Sequence, residues 1–226
     1  MKKGALVEFM SAFGTSVPNV VIFQYNPESM RHSWSQPLPA SGTHEQGWAN
    51  PYAVPGVPAE VFSFSLSMDV TDQLADPDPA VRLGARSFGI YPRLAALEML
   101  LYPSDPGVPA APGAGGGADR STPSAQVPPV LFVWGTGRIL PVRVTSLTIT
   151  EKLYDEDLNP THADAQVELR VLTPAELTSV TTALGRIAVS AYEYSQNLRK
   201  ARAASNLGAS ARGIIGMLGD QNLLRG

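Results

Sequence analysis

Two runs of alternating apolar residues, joined by a turn-rich connection, occupy residues 138–171 and constrain the fold more than any other stretch. In the second run every other residue is apolar: Ala163, Ala165, Val167, Leu169 and Val171. Period-two alternation is typical of a strand with one buried face and one solvated face. The connection, EKLYDEDLNPTH, is rich in turn formers and contains an Asn-Pro step. We therefore predict a long antiparallel pair over 138–171.

The first run of this pair changes parity at Ser146. Val144 lies on one parity, and Leu147 and Ile149 continue the alternation on the other. This pattern indicates either a β-bulge or a strand that passes from one buried face to another. Apolar groups on both faces fit a closed barrel or a sheet between subunits better than a free hairpin. We therefore predict that Leu147 and Ile149 contribute to subunit contacts as well as to the core.

Three further segments carry strand patterns. Apolar runs at 5–9 and 20–25, around a turn region at 14–18, predict an N-terminal hairpin. Residues 61–70 place large apolar side chains on one face and three serines and an aspartate on the other. Such a small polar face suits the lining of a passage or contact with another sheet, and a plain solvated face is the alternative. Residues 130–134 predict one more strand.

Helical patterns occur in the middle and at the end of the chain. Residues 89–101 carry one apolar stripe and predict an amphipathic helix. Thr173, Pro174 and Glu176 form a helix start with a capping box. A narrow heptad-like stripe, here called the tail seam, follows, and a break is predicted at 205–208. The tail seam consists of Val180, Leu184, Ile187, Ala191, Tyr194 and Leu198.

Two segments without a period predict loops. Residues 31–60 contain five prolines together with Trp34 and Trp48. A loop of this length is unusual in a compact domain, so its aromatic residues either dock against a partner or pin the loop to its own domain. Residues 104–128 are rich in Gly, Pro and Ala and predict a flexible loop.

The charge is unevenly distributed along the chain. The net charge is −3, and residues 183–226 hold six basic and two acidic residues, so this segment carries +4 and the rest −7. The tail and the body can therefore attract each other within one subunit or between neighbouring subunits. An acidic chain whose basic residues are not interleaved with aromatic ones does not favour nucleic acid as a partner.

The residues that usually carry chemistry are sparse. Without cysteine, disulfides and thiolate metal sites are excluded. His32, His44 and His162 do not have the spacing of metal ligands. The aspartates of TDQLADPDP depart from a calcium loop, and a G-x-S-x-G elbow is absent. We therefore expect no catalytic residues, no metal and no cofactor, hence no enzyme. Because no run of about 18 apolar residues exists, we expect no membrane insertion.

Four stretches give the chain a resemblance to a known family: FQYNPES, the strand that ends in Met-Asp, PPVLFVWG and VTSLTITEKLYDEDLNP. Over residues 4–177 the chain resembles the tube-like family of contractile injection systems and phage tails. It resembles more closely the baseplate adaptors of these particles, which carry a tube-type domain and often a LysM module. About 50 residues follow Leu177, and they have no LysM-like βααβ pattern. Peptidoglycan binding is therefore not expected here.

The resemblance implies a mainly β (α+β) fold. This is a rolled antiparallel β-sheet or split β-barrel of the phage-tail-tube type with one packed helix, over residues 1–173. A helical C-terminal extension would follow over 174–226. The resemblance also implies assembly in the cytoplasm as a homo-oligomer, a ring of six subunits around a channel. The partners would be the inner tube protein, the spike or hub and other baseplate proteins.

A different class of function remains open beside the ring subunit. The chain could be a small-molecule- or carbohydrate-binding β-barrel module in which residues 31–60 act as a lid. For the ring interpretation, the residues expected at subunit interfaces are Leu147, Ile149, Trp34, Trp48, Tyr194 and Leu198.

Overall fold

Seven strands and five helices form the part of the chain that the computed structural model describes. This part comprises residues 2–12, 15–37, 54, 56–103, 127, 129–177 and 183–220, and for 9–12, 15–18, 183–184 and 208–220 it is the backbone alone. The strands are β1 Ala5–Ala12, β2 Thr15–Ile22, β3 Met30–Ser35, β4 Ala59–Asp69, β5 Val130–Val133, β6 Ile139–Tyr154 and β7 Pro160–Val171. The helices are α1 Thr71–Leu74, α2 Pro79–Phe88, α3 Tyr91–Met99, α4 Pro174–Leu177 and α5 Ala183–Asp220.

The strands form one antiparallel sheet in the order β2-β1-β5-β6-β7-β4-β3. The sheet curves around its apolar face. Strands β4 and β5 are three strand spacings apart, which would be about 14 Å in a flat sheet. Nevertheless, the ring of Phe132 on β5 lies 5.4 Å from that of Phe62 and 5.7 Å from that of Phe64, both on β4. The class is therefore mainly β with helices, as predicted, and the sheet is open.

The main core lies between the curved face of the sheet and α3. Strand β4 alternates along its length, so that its even-numbered side chains from Glu60 to Met68 are buried. Ile90, Leu94 and Leu97 pack on this face from α3 and the residue before it. The predicted helix over 89–101 and the strand over 61–70 are thus confirmed.

The long pair is confirmed, and its change of parity is a β-bulge. Val144 pairs with Leu169, and the next pair joins Ser146 to Glu168, so Thr145 is an extra residue on β6. Beyond it, Leu147 pairs with Val167 and Ile149 with Ala165. Leu147 and Ile149 pack against the main core and are partly buried. Of the two interpretations of the parity change, the bulge holds, because the extra residue keeps the apolar positions of β6 on one face.

The N-terminal hairpin is confirmed, but its second strand begins earlier in the chain than predicted. Strands β1 and β2 pair from Ala5 and Ile22 to Ala12 and Thr15. Residues 15–18, which were predicted as part of the turn region 14–18, therefore belong to β2. Pro18 stands within β2, which has a neighbour on one side only in the described sheet. An edge strand tolerates proline because the missing N–H can face away from its partner.

The prediction of a loop over the whole of 31–60 is wrong at both ends. Residues 30–35 form β3, which pairs with β4 from Ala59 to Phe64. Strand β3 was not predicted, because its inward positions include His32 and Trp34, which did not form a recognisable apolar alternation. Residues 38–53 and 55, with Trp48, and residues 104–126 and 128 lie outside the described residues, so the loop predictions there remain predictions.

The helices differ from the prediction in two ways. Helix α2 was not predicted, although Val81, Ala85 and Phe88 recur at helical spacing. Among its residues, Ala85 alone is buried. Helix α5 runs without a break through 205–208, because the low helix propensities of Ser, Asn and Gly are weak preferences of about 1 kcal/mol or less per residue. The capping box is confirmed, since Glu176 Oε2 accepts hydrogen bonds from Thr173 N and Oγ1, both at 2.9 Å. No helix among the described residues combines the length and apolarity needed to cross a bilayer.

Candidate assembly surfaces

Helix α5 packs on the sheet through small side chains that lie beside the tail seam. Ala188 is fully buried against Leu131 and Leu177, and Ser195 is also buried. In contrast, Ile187 and Tyr194 of the tail seam are 48% and 49% exposed. Small residues allow a helix to approach a sheet closely. The large apolar side chains, from which the tail seam was predicted, lie on the neighbouring stripe of the helix. The described members of the tail seam therefore lie at the margin of the contact, with Leu198 and Ala191 partly buried. Val180 and the side chain of Leu184 lie outside the described residues.

Polar side chains of α5 hold the helix against the start of β6. Ser195 Oγ accepts a hydrogen bond from Ile139 N at 3.0 Å and donates one to Ile139 O at 2.7 Å. Tyr194 Oη donates to Thr136 O at 2.9 Å. The Arg202 guanidinium lies so close to Gly137 that a side chain there would collide with it. These contacts fix the position of α5 along the sheet.

The Ser195 contact gives a direct test of this docking. We expect Ser195→Ala to destabilise the docked helix by about 1–3 kcal/mol, because both backbone groups of Ile139 lose a buried partner. Amide hydrogen exchange along α5 measures the effect. Ser205→Ala, on the exposed part of the same helix, is the matched control and should change the exchange little. Equal exchange in both variants would show that the Ser195 bonds do not hold the helix.

A buried carboxylate joins α5 to the edge of the sheet. Glu60, on β4, is 4% exposed. Its Oε1 lies 2.7 Å from His32 Nε2 on β3 and 2.7 Å from Arg199 Nη2 on α5, and its Oε2 accepts from Arg199 Nη1 at 3.2 Å. Arg199 thus makes a bidentate ion pair, the stronger geometry for a guanidinium and a carboxylate. We call Glu60, His32, Arg199 and the nearby Arg138 the Glu60 cluster.

Aromatic rings enclose the Glu60 cluster and affect its electrostatics. The His32 ring stacks on Phe62 at 3.9 Å and lies 3.7 Å from the ring of Trp34. Burial lowers the pKa of His32 below its ordinary value, and the charges of Arg138 and Arg199 act in the same direction, against the opposing effect of Glu60. Burial also lowers the pKa of Arg138, whose guanidinium lies 5.2 Å from the centre of the Phe62 ring.

Trp34, one of the residues predicted at interfaces, contacts this cluster through His32. Its ring is 54% exposed and lies 6.0 Å from the Arg199 guanidinium. It borders a cleft of ≈ 660 Å³ between α5 and the start of β4, to which Pro58, Tyr192 and Lys200 also contribute. The structure therefore brings Trp34, Tyr194 and Leu198 to the region where α5 meets the sheet. Leu147 and Ile149 lie on the core face of the long pair, and Trp48 lies outside the described residues.

The second face of the sheet is polar over four neighbouring strands. Glu168 pairs with both Ser63 and Ser146, and Gln166 pairs with both Ser65 and Thr148. Together with Ser29 and Arg31 these residues line a groove of ≈ 350 Å³. We call this surface the serine–threonine face; its members are Ser63, Ser65, Ser146, Thr148, Gln166 and Glu168. The serines that the sequence placed on the outer face of β4 thus continue onto β6.

The end of the long pair exposes large apolar side chains. Leu153 and Leu158 have φ angles of 52° and 63°, a conformation that costs a non-glycine residue about 1–2 kcal/mol. Asp155 Oδ1 accepts hydrogen bonds from Asp157 N and Asn159 N at 2.9 and 2.8 Å, which hold the turn between them. The bonds from Asn159 also lower the pKa of Asp155. Leu153, Leu158 and Tyr154 are all exposed at this end of the pair, and exposed apolar side chains in one region are typical of contact surfaces.

Some acidic residues in the described part of the chain hold turns and helix starts. Asp78 Oδ1 accepts a hydrogen bond from Ala80 N at 2.8 Å and caps α2. Within the described residues, no group of three or more His, Asp or Glu is arranged to hold a metal ion. Neither models of known protein families nor curated protein sequences give a match to this chain.

Sequence reasoning missed the Glu60 cluster, although one signal for it was present. Glu60 occupies an even position of β4, in phase with Phe62 and Phe64, and a charge at an inward position requires a buried partner. That partner, Arg199, is 139 residues away in the sequence, so spacing could not identify it.

Proposed function

We propose that the chain is a structural ring subunit of a contractile injection system. It would be a tube-type adaptor that connects the central spike or hub to the inner tube, in a ring of six. The serine–threonine face is the observation that carries this proposal. It is a polar surface in which hydroxyl groups of β4 and β6 flank Gln166 and Glu168 of β7, and the apolar core lies behind it across the same strands. The lining of a channel in a ring needs such a polar surface, because water covers it and few large apolar groups bind the molecules that pass through.

The edges of the sheet support assembly with other copies. Strands β2 and β3 lie at its two ends, and in the described sheet each has a neighbour on one side. Phe23 N donates to Gly4 O, so along β2 the N–H and C=O groups of alternate residues, including Ile22, point away from β1. Unpaired edges of this kind are covered in native assemblies, and pairing between copies covers them. In the proposed ring, the curved open sheet is a split barrel of the tail-tube type.

The resemblance of FQYNPES and VTSLTITEKLYDEDLNP to tube-type adaptors supports the position in the particle. The inner tube protein and the spike or hub are the proposed neighbours. The exposed leucines at the end of the long pair and the exposed residues 201–207 of α5 are available for these contacts.

The proposal is tested by the size of the particles that the chain forms. We expect the full-length protein to form closed rings of about six copies, alone or with the co-expressed tube and spike proteins, in electron micrographs and by mass in solution. Ile22→Lys should leave the fold intact, because this side chain is 60% exposed, and should reduce ring formation, because lysine on an edge strand opposes pairing.

Leu83→Lys is the matched control, since Leu83 is an exposed apolar residue on α2, away from both sheet edges. It should assemble like the unchanged protein. A protein that stays monomeric with all candidate neighbours present would rule out the ring, and equal assembly of both lysine variants would remove the β2 edge from the interface.

A second candidate function rests on the cleft beside Trp34. Its ≈ 660 Å³ volume is within the range of small-ligand sites, and it combines an aromatic ring with the charged groups of Glu60 and Arg199. In a ligand-binding module, a saccharide or small molecule from a screened panel should raise the melting temperature, and Trp34→Ala should abolish the increase. If no compound does so, the binding-module hypothesis fails.

A further inference from the structure

The Glu60 cluster connects three parts of the chain that are distant in sequence. Glu60 belongs to β4, His32 to the edge strand β3 and Arg199 to α5. The histidine and the arginine share one oxygen, since His32 Nε2 and Arg199 Nη2 both lie 2.7 Å from Glu60 Oε1. The carboxylate is therefore both the anchor of α5 and a partner of the histidine, and a change at His32 acts directly on the contact that holds the helix.

The neutral form of His32 suits this arrangement. A carboxylate oxygen accepts hydrogen bonds, so at neutral pH the His32 imidazole donates its Nε2–H to Glu60. The group then carries no charge between the rings of Phe62 and Trp34. One buried carboxylate is thus balanced by the bidentate Arg199, with the second guanidinium, Arg138, close by.

Protonation of His32 would overload the cluster with positive charge. The groups facing His32 are Glu60 on β4, Arg138 in the turn before β6 and Arg199 on α5. One carboxylate would then face three cations. Because Glu60 and His32 are largely shielded from water, repulsion between these like charges is stronger than in bulk water. Releasing α5 removes Arg199 from the cluster and admits water to His32, so the released state accommodates the added proton more easily.

We propose that the Glu60 cluster is an acid-sensitive latch, in which protonation of His32 releases α5 from the edge of the sheet. This device is independent of the ring and of the ligand-binding module. It requires that α5 covers Glu60 when the latch is closed, and Glu60 is almost completely buried.

The direction of the effect follows from linkage. His32 has a pKa below its ordinary value of 6.5 in the docked state. A histidine of this kind contributes its full stabilisation to the docked state above about pH 6.5, and the contribution is lost as the pH falls towards the docked-state pKa. The docked helix should therefore loosen in acid, and each unit between the two pKa values corresponds to a roughly tenfold change in the docking equilibrium.

The experiment uses two fluorophores on the full-length chain. The natural sequence has no cysteine, so single cysteines at Leu83 on α2 and Ala204 on α5, both exposed, can be labelled cleanly. Energy transfer between the labels reports docking of α5. Hydrogen exchange at Leu140–Val144 of β6 is followed in parallel, to confirm that the sheet stays folded at each pH.

Three variants separate the latch from general acid sensitivity. We expect the unchanged protein to lose energy transfer between about pH 7.5 and 5 while the sheet stays protected, since this range spans the histidine pKa. His32→Gln retains an N–H donor but does not titrate, so its energy transfer should stay high and constant. Arg199→Gln should reduce docking at neutral pH, and acid should then loosen the helix no further. Lys200→Gln is the control, because Lys200 is the exposed neighbour of Arg199 and should behave like the unchanged protein.

Two results would overturn the proposal. One is energy transfer that stays constant in the unchanged protein down to about pH 5, well below the ordinary histidine pKa. The other is an acid-induced loss of the same size in His32→Gln, which would assign the effect to other groups. If the His32→Gln sheet fails to fold, His32→Asn provides the same test with a shorter amide.

Discussion

Replacing Phe132 by alanine is expected to destabilise the protein by about 3–5 kcal/mol, the usual range for a fully buried phenylalanine. The Phe132 side chain on β5 is completely buried. Its ring lies within 6.1 Å of three other rings, those of Phe62, Phe64 and Trp134. Phe132 belongs to β5 and Phe62 and Phe64 belong to β4, so these rings meet across the curved sheet. Removal of the Phe132 ring therefore leaves a cavity that the strands cannot close without a change in the curvature of the sheet.

Urea unfolding monitored by circular dichroism measures this loss. Phe88→Ala is the matched control, since Phe88 is the same residue type, 56% exposed at the end of α2. It should change the free energy of unfolding by less than about 1 kcal/mol, as surface substitutions usually do. Similar losses of unfolding free energy in both variants would mean that the ring cluster around Phe132 does not hold β4 and β5 together.

Gly89→Ala is expected to have an effect of comparable size for a different reason. Gly89 ends α2 with a φ of +56°, and a β-carbon there would lie 2.3 Å from the carbonyl oxygen of Pro160. With a ψ of −133° as well, the Gly89 backbone lies in a region almost confined to glycine, which costs an alanine about 1–3 kcal/mol. Displacing the Pro160 carbonyl adds about 1–3 kcal/mol. The displacement would also disturb the 2.9 Å hydrogen bond from Ile90 N to Pro160 O, which joins the start of α3 to β7.

Two other glycines separate these contributions. Gly135 has a φ of +69° and open space around it, so Gly135→Ala should show the conformational loss without the collision. Gly84 lies inside α2 and also has open space, so Gly84→Ala should stabilise the protein by about 0.5–1 kcal/mol. The three melting temperatures should therefore fall in the order Gly84→Ala, Gly135→Ala, Gly89→Ala. A Gly89→Ala protein as stable as Gly135→Ala would contradict the close contact with Pro160.

The central strands could be predicted from the sequence because each has one solvated face and one buried face. Alternation alone identified β4, β6 and β7. Strand β3 was missed because His32 and Trp34 occupy inward positions in a sequence that otherwise resembles a loop. Helix α2 was missed although the sequence carried two signals for it. Val81, Ala85 and Phe88 recur at helical spacing, and Asp78 followed by Pro79 is a helix start.

The candidate surfaces were predictable only in part. The small polar face of β4 could be predicted from the sequence. Its continuation onto β6 depends on the pairing of both strands with β7, and three helices separate β4 from β6 and β7 along the chain. Trp34 was singled out as an aromatic residue in a loop, whereas its setting on β3 beside Arg199 follows from pairing with Glu60. The side of α5 that faces the sheet was missed because Ala188 and Ser195 bury little apolar surface each.

The bulge at Thr145 shifts the side-chain alternation of every later residue of β6 by one position. Without it, every residue downstream would change sides, and Ser146 and Thr148 would point into the core while Leu147 faced water. A single inserted residue therefore decides which chemistry each side of the long pair presents over its outer half. Homologous chains that lack the insertion would need the opposite alternation after this point to keep the same two surfaces.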